Sequence, residues 1–208
     1  MPHQHRPRPT VVQHFTASGA TDVPVQELRD ALREYAAERL RAGGCEAHTA
    51  LSVPGPPPAF VHLEQWSDFA SLRRAAHRSA LLPRLARVEQ LADVACDLAV
   101  SVGRMSAPGR LRDAGSVTLL RCSAEVEPAA FELTVGALLG PCAAAEGYRG
   151  SELLRSVAAP RRYTALLWWR DAECGERVLG GREWRSRMRE LGRTGAVEET
   201  VRAAVPAD

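Results

Sequence analysis

The pattern of apolar and polar positions changes period several times along the chain. Residues 10–16 are short and β-branched and predict a strand. Asp22 is placed to cap a helix whose apolar positions Val25, Leu28, Leu32, Tyr35 and Leu40 nearly follow the 3.6-residue period. Gly43 and Gly44 end that helix. Residues 47–53 predict a second strand, closed by a proline-rich turn at 54–58, and residues 59–66 a third. Ser67 then caps a second helix carrying Phe69, Leu72 and Ala76; Pro83 breaks or kinks it, and it resumes with Leu85, Val88 and Leu91. Residues 96–105 predict a fourth strand. The order β-α-β-β-α-β is that of the ferredoxin-like split βαβ unit.

The same order returns further along. Residues 116–122 predict a strand, 128–145 a helix opened by Pro128, 151–157 and 162–169 two strands, 172–191 a helix weakened by Gly180 and Gly181, and 197–205 a last strand. An offset of 103 residues sets FVHLEQWSD (60–68) on YTALLWWRD (163–171), with Trp66 on Trp169, Asp68 on Asp171, Gly44 on Gly147 and Pro57 on Pro160. The chain therefore divides into a tail (1–9), a first unit (10–105), a linker (106–115) and a second unit (116–208). A four-stranded sheet with both helices on one face leaves its other face bare, and two such units can cover each other. The expected fold class is α+β: two ferredoxin-like repeats forming an intrachain pseudo-dimeric barrel.

Composition narrows the partners. The 208 residues carry a net charge of +2, which gives no reason to expect nucleic acid. No run of about 18 apolar residues is present to cross a membrane. The start, MPHQHRPRPT, has no apolar stretch of a secretory leader, so a cytoplasmic protein is expected. His3 and His5 fall in the tail, where disorder is expected. There is no Lys, Ile or Asn, which points to a GC-rich coding sequence. The five cysteines lack Cys-x-x-Cys spacing and are expected to be reduced core residues, with no structural metal site.

The segment 64–79, EQWSDFASLRRAAHRS, resembles the antibiotic biosynthesis monooxygenase family: Glu-x-Trp closes a strand, and a helix with a His about three turns on follows. The second unit keeps Trp169 but has Leu167 in place of Glu64 and Gly180 in place of His77. The resemblance implies oxygenation of an electron-rich aromatic polyketide, an anthrone or phenol, with O2 as co-substrate and no tightly bound cofactor. Reduced flavin from a separate reductase is the alternative it leaves open. No Gly-x-Gly-x-x-Gly dinucleotide fingerprint is present. The family's fold also serves polyketide cyclases, heme-degrading enzymes and non-catalytic proteins. The Asn that heme degradation uses is absent from the chain.

Alternation along the third strand puts Phe60, His62, Glu64 and Trp66 on one face. The resemblance turns that face toward the helices and a pocket. The expected catalytic residues are His77, His62 and Glu64, and the expected substrate contacts are Trp66, Phe60, His14 and Phe69. A proton acceptor with pKa near neutrality is what the chemistry needs. The equivalent face of the second unit, Tyr163, Ala165, Leu167 and Trp169, is much less polar, so that unit is expected to be mainly structural. Either a single chain or a further homodimer is compatible with this reading.

Overall fold

The structure, a computed structural model, describes residues 8–18, 24–106 and 110–205. Asp22, His3 and His5 lie outside the described residues. Residues up to Leu98 form one compact unit and those from Ala99 onward a second.

The first unit runs β1 (Pro9–Ala17), α1 (Val25–Leu40), β2 (Cys45–Val53), β3 (Ala59–Trp66), α2 (Phe69–Ala76), α3 (Leu81–Leu91) and the start of β4 (Ala92–Ser106). Its sheet order is β2-β3-β1-β4. The register sets Val11 opposite Glu64, Gln13 opposite His62 and Phe15 opposite Phe60. These pairs share one face because side chains alternate along each strand. That face carries the helices: Phe15 and Phe60 join Leu28, Leu32 and Tyr35 of α1 and Val88 of α3 in one buried cluster. Each fully buried Leu or Phe there contributes roughly 1.5–3 kcal/mol.

The second unit runs β5 (Ser116–Ala124), α4 (Pro128–Leu139), β6 (Tyr148–Ser156), β7 (Arg162–Trp169), α5 (Ala172–Leu179), α6 (Arg182–Leu191) and β8 (Gly195–Ala203). Its strands follow the order β6-β7-β5-β8. The end of β4 belongs here as well, since Ala99 to Ser106 pair with β6. The starts of α1 and α4, β2 and β6, β3 and β7, α2 and α5, and β4 and β8 are all 103 residues apart. Two βαββαβ repeats of the α+β class are thus present, with an added helix in each.

That added helix departs from the sequence reading. The second helix does not break at Pro83 but ends at Ala76, and α3 begins at Leu81. Pro83 sits in the first turn of α3, where the missing N–H has no helical partner to lose. Gly180 and Gly181 likewise divide 172–191 into α5 and α6. Asp68, rather than Ser67, caps α2, accepting from the Ser71 backbone N–H at 2.7 Å. Asp171 does the same for α5 through the Cys174 N–H at 2.8 Å. Gly44 and Gly147 adopt φ of +83° and +81°, and a Cβ on either would run into Ser71 or Cys174. All five cysteines are free; Cys122, Cys142 and Cys174 are buried, but Cys96 is exposed and is not a core residue.

Candidate active site

The first unit encloses a cavity of about 830 Å³ bounded by β1, α1, α2, α3 and β4. Val11, Gln13, Tyr35 and Arg39 form its buried floor, and Phe69, Arg73, Glu89 and Cys96 reach it from exposed positions at the rim. Between floor and rim the wall is aliphatic, from Leu72, Leu85, Val94 and Leu98.

Arg39 is the charged group of the floor. Leu28, Leu32, Tyr35 and Arg39 lie on one stripe of α1, and all four are buried. Arg39 donates from Nε and Nη2 to the Glu64 carboxylate at 2.6–2.9 Å. Glu64 is 1% exposed and also accepts from the Trp66 indole at 3.1 Å. The Arg39 guanidinium lies 5.5 Å from the Trp66 ring centre and 5.8 Å from that of Tyr35. Burial works against the charge on Arg39, but the bonds and charge of Glu64 outweigh it and push the pKa up. Arg39 therefore stays protonated, and two aromatic rings flank the cation.

Beside it, Gln13 Nε2 donates to the Tyr35 hydroxyl at 2.8 Å. Burial raises the Tyr35 pKa, with Arg39 opposing, so the phenol is neutral near pH 7. Gln13 Oε1 is buried and has no hydrogen-bond partner among the described residues.

The expected residues divide into three groups. Phe69 lines the cavity at its rim. Glu64 and Trp66 stand one layer behind the floor, linked to it through Arg39. The other four do not line it. His62 is buried, edge-on to Phe15 and to His48 with ring centres 5.0 Å away in each case. Burial, reinforced by His48, pushes its pKa down to about 3, so it is neutral near pH 7. His77 is exposed at the C-terminal cap of α2, its backbone N–H bonded to Arg73 O at 3.1 Å. Phe60 is buried in the α1 cluster, and His14 is half-buried at an alternate position of β1 from Gln13. Gln13, Tyr35 and Arg39 do not stand out from the sequence as site residues. The available signal is an arginine on the apolar stripe of a helix.

The second unit replaces this floor. At the 103-residue offset, Leu138 stands for Tyr35, Cys142 for Arg39 and Leu167 for Glu64. In the β5–β7 register Leu120 lies opposite Ala165, as Gln13 lies opposite His62. Leu120, Leu138, Cys142, Leu167 and Trp169 all belong to the apolar core of that unit. The Trp169 indole N–H, deprived of the carboxylate that Trp66 has, is buried without a partner among the described residues. A smaller pocket of about 320 Å³ remains here, lined by Leu138 and Cys142 together with Arg177, Arg182, Trp184 and Arg187.

The chain is similar in fold to several solved structures. The chain superposes on a candidate monooxygenase from Fusobacterium nucleatum subsp. nucleatum with a TM-score of 0.77 at 11% identity, covering 97% of this chain and 93% of the other. It superposes on an anthrone oxidase-like protein with a TM-score of 0.69 at 14% identity, covering 98% and 93%. SnoaB, a cofactor-independent oxygenase from Streptomyces nogalater, is 24% identical over 51% of this chain and 98% of its own, with a TM-score of 0.41. At such identities the first two likenesses establish the fold. No curated protein matches the chain. The family model for antibiotic biosynthesis monooxygenase matches residues 120–189. The chain thus matches the antibiotic biosynthesis monooxygenase domain over residues 120–189, within the second of its two ferredoxin-like units.

Proposed function

We propose that the chain is a monooxygenase that oxidises an aromatic, polyketide-type anthrone or phenol in the cavity of its first unit, with O2 as co-substrate and no tightly bound cofactor. The observation that carries this reading is a roomy apolar cavity with one fixed, buried guanidinium at its floor. An anthrone's methylene proton is acidic because the resulting anion is delocalised onto the carbonyl oxygen. Arg39 stabilises charge where it develops, and Glu64 and Trp66 fix the guanidinium so that no reorganisation is needed. The aliphatic wall keeps water from the carbanion. Glu89, the carboxylate at the rim, receives the proton. The carbanion reduces O2; one oxygen atom enters the product as a ketone and the other leaves as water.

The experiment is O2 uptake by the purified chain with anthrone and no added cofactor, corrected for the uncatalysed reaction. One O2 consumed per anthrone, with one labelled atom from 18O2 in the anthraquinone, supports the proposal. Turnover seen only with NAD(P)H, flavin and a reductase would overturn cofactor independence and leave oxygenation standing. Ring closure of a linear polyketide without O2 uptake would make the chain a cyclase instead.

A further inference from the structure

We propose that Gln13 selects ligands carrying a hydroxyl group next to the oxygen held by Arg39, by accepting the hydroxyl's hydrogen bond on Oε1, which has no partner among the described residues. This rests on the cavity of the first unit being the substrate site.

Gln13 is 4% exposed and lies on the cavity floor. A glutamine is a poor choice for a buried strand position unless both ends of its amide are used, because an orphaned buried acceptor costs about 1–3 kcal/mol. One end is used: Nε2 donates to the Tyr35 oxygen. Two consequences follow. The Tyr35 hydroxyl keeps its own proton to donate, and Gln13 Oε1 is left without a donor among the described residues. The terminal amide torsion of glutamine is broad, so a small tilt turns Oε1 to the cavity while Nε2 keeps Tyr35.

A single ligand hydroxyl satisfies both remaining groups. Its oxygen accepts from the Tyr35 O–H, and its own O–H donates to Gln13 Oε1. With the existing bond from Gln13 to Tyr35 this closes a ring of three hydrogen bonds, each donor also accepting, an arrangement that polarises its members cooperatively. A methyl ether fills the same space but supplies no proton, and it leaves Oε1 orphaned. The second unit, which has Leu120 at the same register position, has no such preference built in. The ligand class is therefore a fused aromatic with a free hydroxyl. In an anthrone that hydroxyl would be the one adjacent to the carbonyl, which places the developing negative charge on Arg39.

The test is anaerobic calorimetric titration of 1-naphthol and 1-methoxynaphthalene into the wild-type chain, Gln13→Met and Tyr35→Phe. The wild type is expected to prefer the naphthol about tenfold, the effect of one buried hydrogen bond. Both variants should lose the preference while still binding the ether. Circular dichroism checks the variants; if Gln13→Met does not fold, the wild-type preference and Tyr35→Phe decide. Equal binding of the two probes by the wild type, a preference for the ether, or a preference that survives in Gln13→Met overturns the role of Gln13 and leaves the cavity as the aromatic site. If neither probe binds, the cavity reading itself falls, and the Gln13 proposal with it.

Discussion

Arg39 and Glu64, 25 residues apart in sequence, meet through three hydrogen bonds beneath the cavity floor and are almost wholly buried. Such a pair contributes little net stability, because removing two charges from water offsets most of their attraction. Breaking it is another matter, since the surviving charge has no water to replace its partner. Arg39→Met or Glu64→Leu alone is expected to lower unfolding free energy by about 3–5 kcal/mol. The double variant, which approximates the Cys142 and Leu167 arrangement, should recover most of that loss. Urea unfolding of the three proteins gives the coupling directly.

The acid side of the stability profile should carry the mark of His62. Its pKa in the fold is about 3, against an ordinary value of about 6.5 in the unfolded chain. Between those values the unfolded state binds the extra proton. The stability His62 contributes is therefore complete above about pH 6.5 and is lost as pH falls toward 3. His48, whose pKa burial also lowers, acts in the same direction. Glu38, held low by Arg78 and Arg41, and Asp68, held low by the Ser71 backbone, lose their contributions only in more acid solution. His62→Leu should flatten the decline in urea midpoint between pH 7 and pH 5, and a variant that declines as steeply as wild type would show that another group is responsible.

Histidine substitutions also separate the two sequence-based candidates for a base from the floor residues. His77 is exposed off the cavity wall and His62 is neutral behind it. His77→Ala is expected to keep turnover within a few-fold of wild type. Removal of a true general base costs about 10²–10⁴. A loss of that size in steady-state O2 uptake, with an unchanged melting temperature, would place His77 in the chemistry after all.

The two tryptophans at the 103-residue offset should respond differently to the loss of an indole N–H. Trp66→Phe removes a bond to a buried carboxylate, a change of about 1.5–3 kcal/mol beyond the lost volume. Trp169→Phe removes a donor with no partner among the described residues, so only the volume is lost. Chemical denaturation should show Trp66→Phe to be the more costly substitution.

Thiol reactivity offers a check on the cavity itself. Cys96 lies at its rim and is exposed, while burial pushes Cys122 up to about 12 and Cys142 up to about 11. Although the residue is exposed, its thiol is partly desolvated against the cavity, which raises its pKa, so it should react with a maleimide more slowly than a free thiol but ahead of those two. Saturating 1-naphthol should slow the labelling of Cys96, as read by mass spectrometry.

The repeat is legible because packing is periodic. Leu28, Leu32 and Tyr35 announce a helix face, Phe60 to Trp66 a strand face, and Asp68 on Asp171 the repeat offset, although the sequence pattern sets the cap itself one residue early, at Ser67. The helix breaks are harder to place because proline is harmless in a first turn, so Pro83 marks a start rather than an end. The site is less legible because its members come from different elements. Glu64 and Trp66 follow from one strand, but the arginine that joins them to the cavity lies on α1, and no local pattern connects residue 39 to residue 64. Histidines stand out in a sequence as titratable groups, yet burial removes the titration of one and the end of a helix puts the other in solvent. Gln13 carries no pattern at all; its meaning lies in an atom left without a partner among the described residues.

One consequence of β4 concerns how the chain can be divided. The sequence invites a cut in the segment 106–115, but the second compact unit begins at Ala99, and Ala99 to Ser106 are hydrogen-bonded along β6. A fragment starting at the apparent boundary would uncover the backbone of Gly150 to Ser156, including Leu153 and Leu154. Unpaired strand edges of that kind recruit other chains. An isolated second half made this way would be expected to aggregate, whereas one retaining residues from Ala99 would keep that edge occupied. The coding repeat and the folding unit are thus offset by part of a strand, and any truncation, fusion or permutation has to respect the latter.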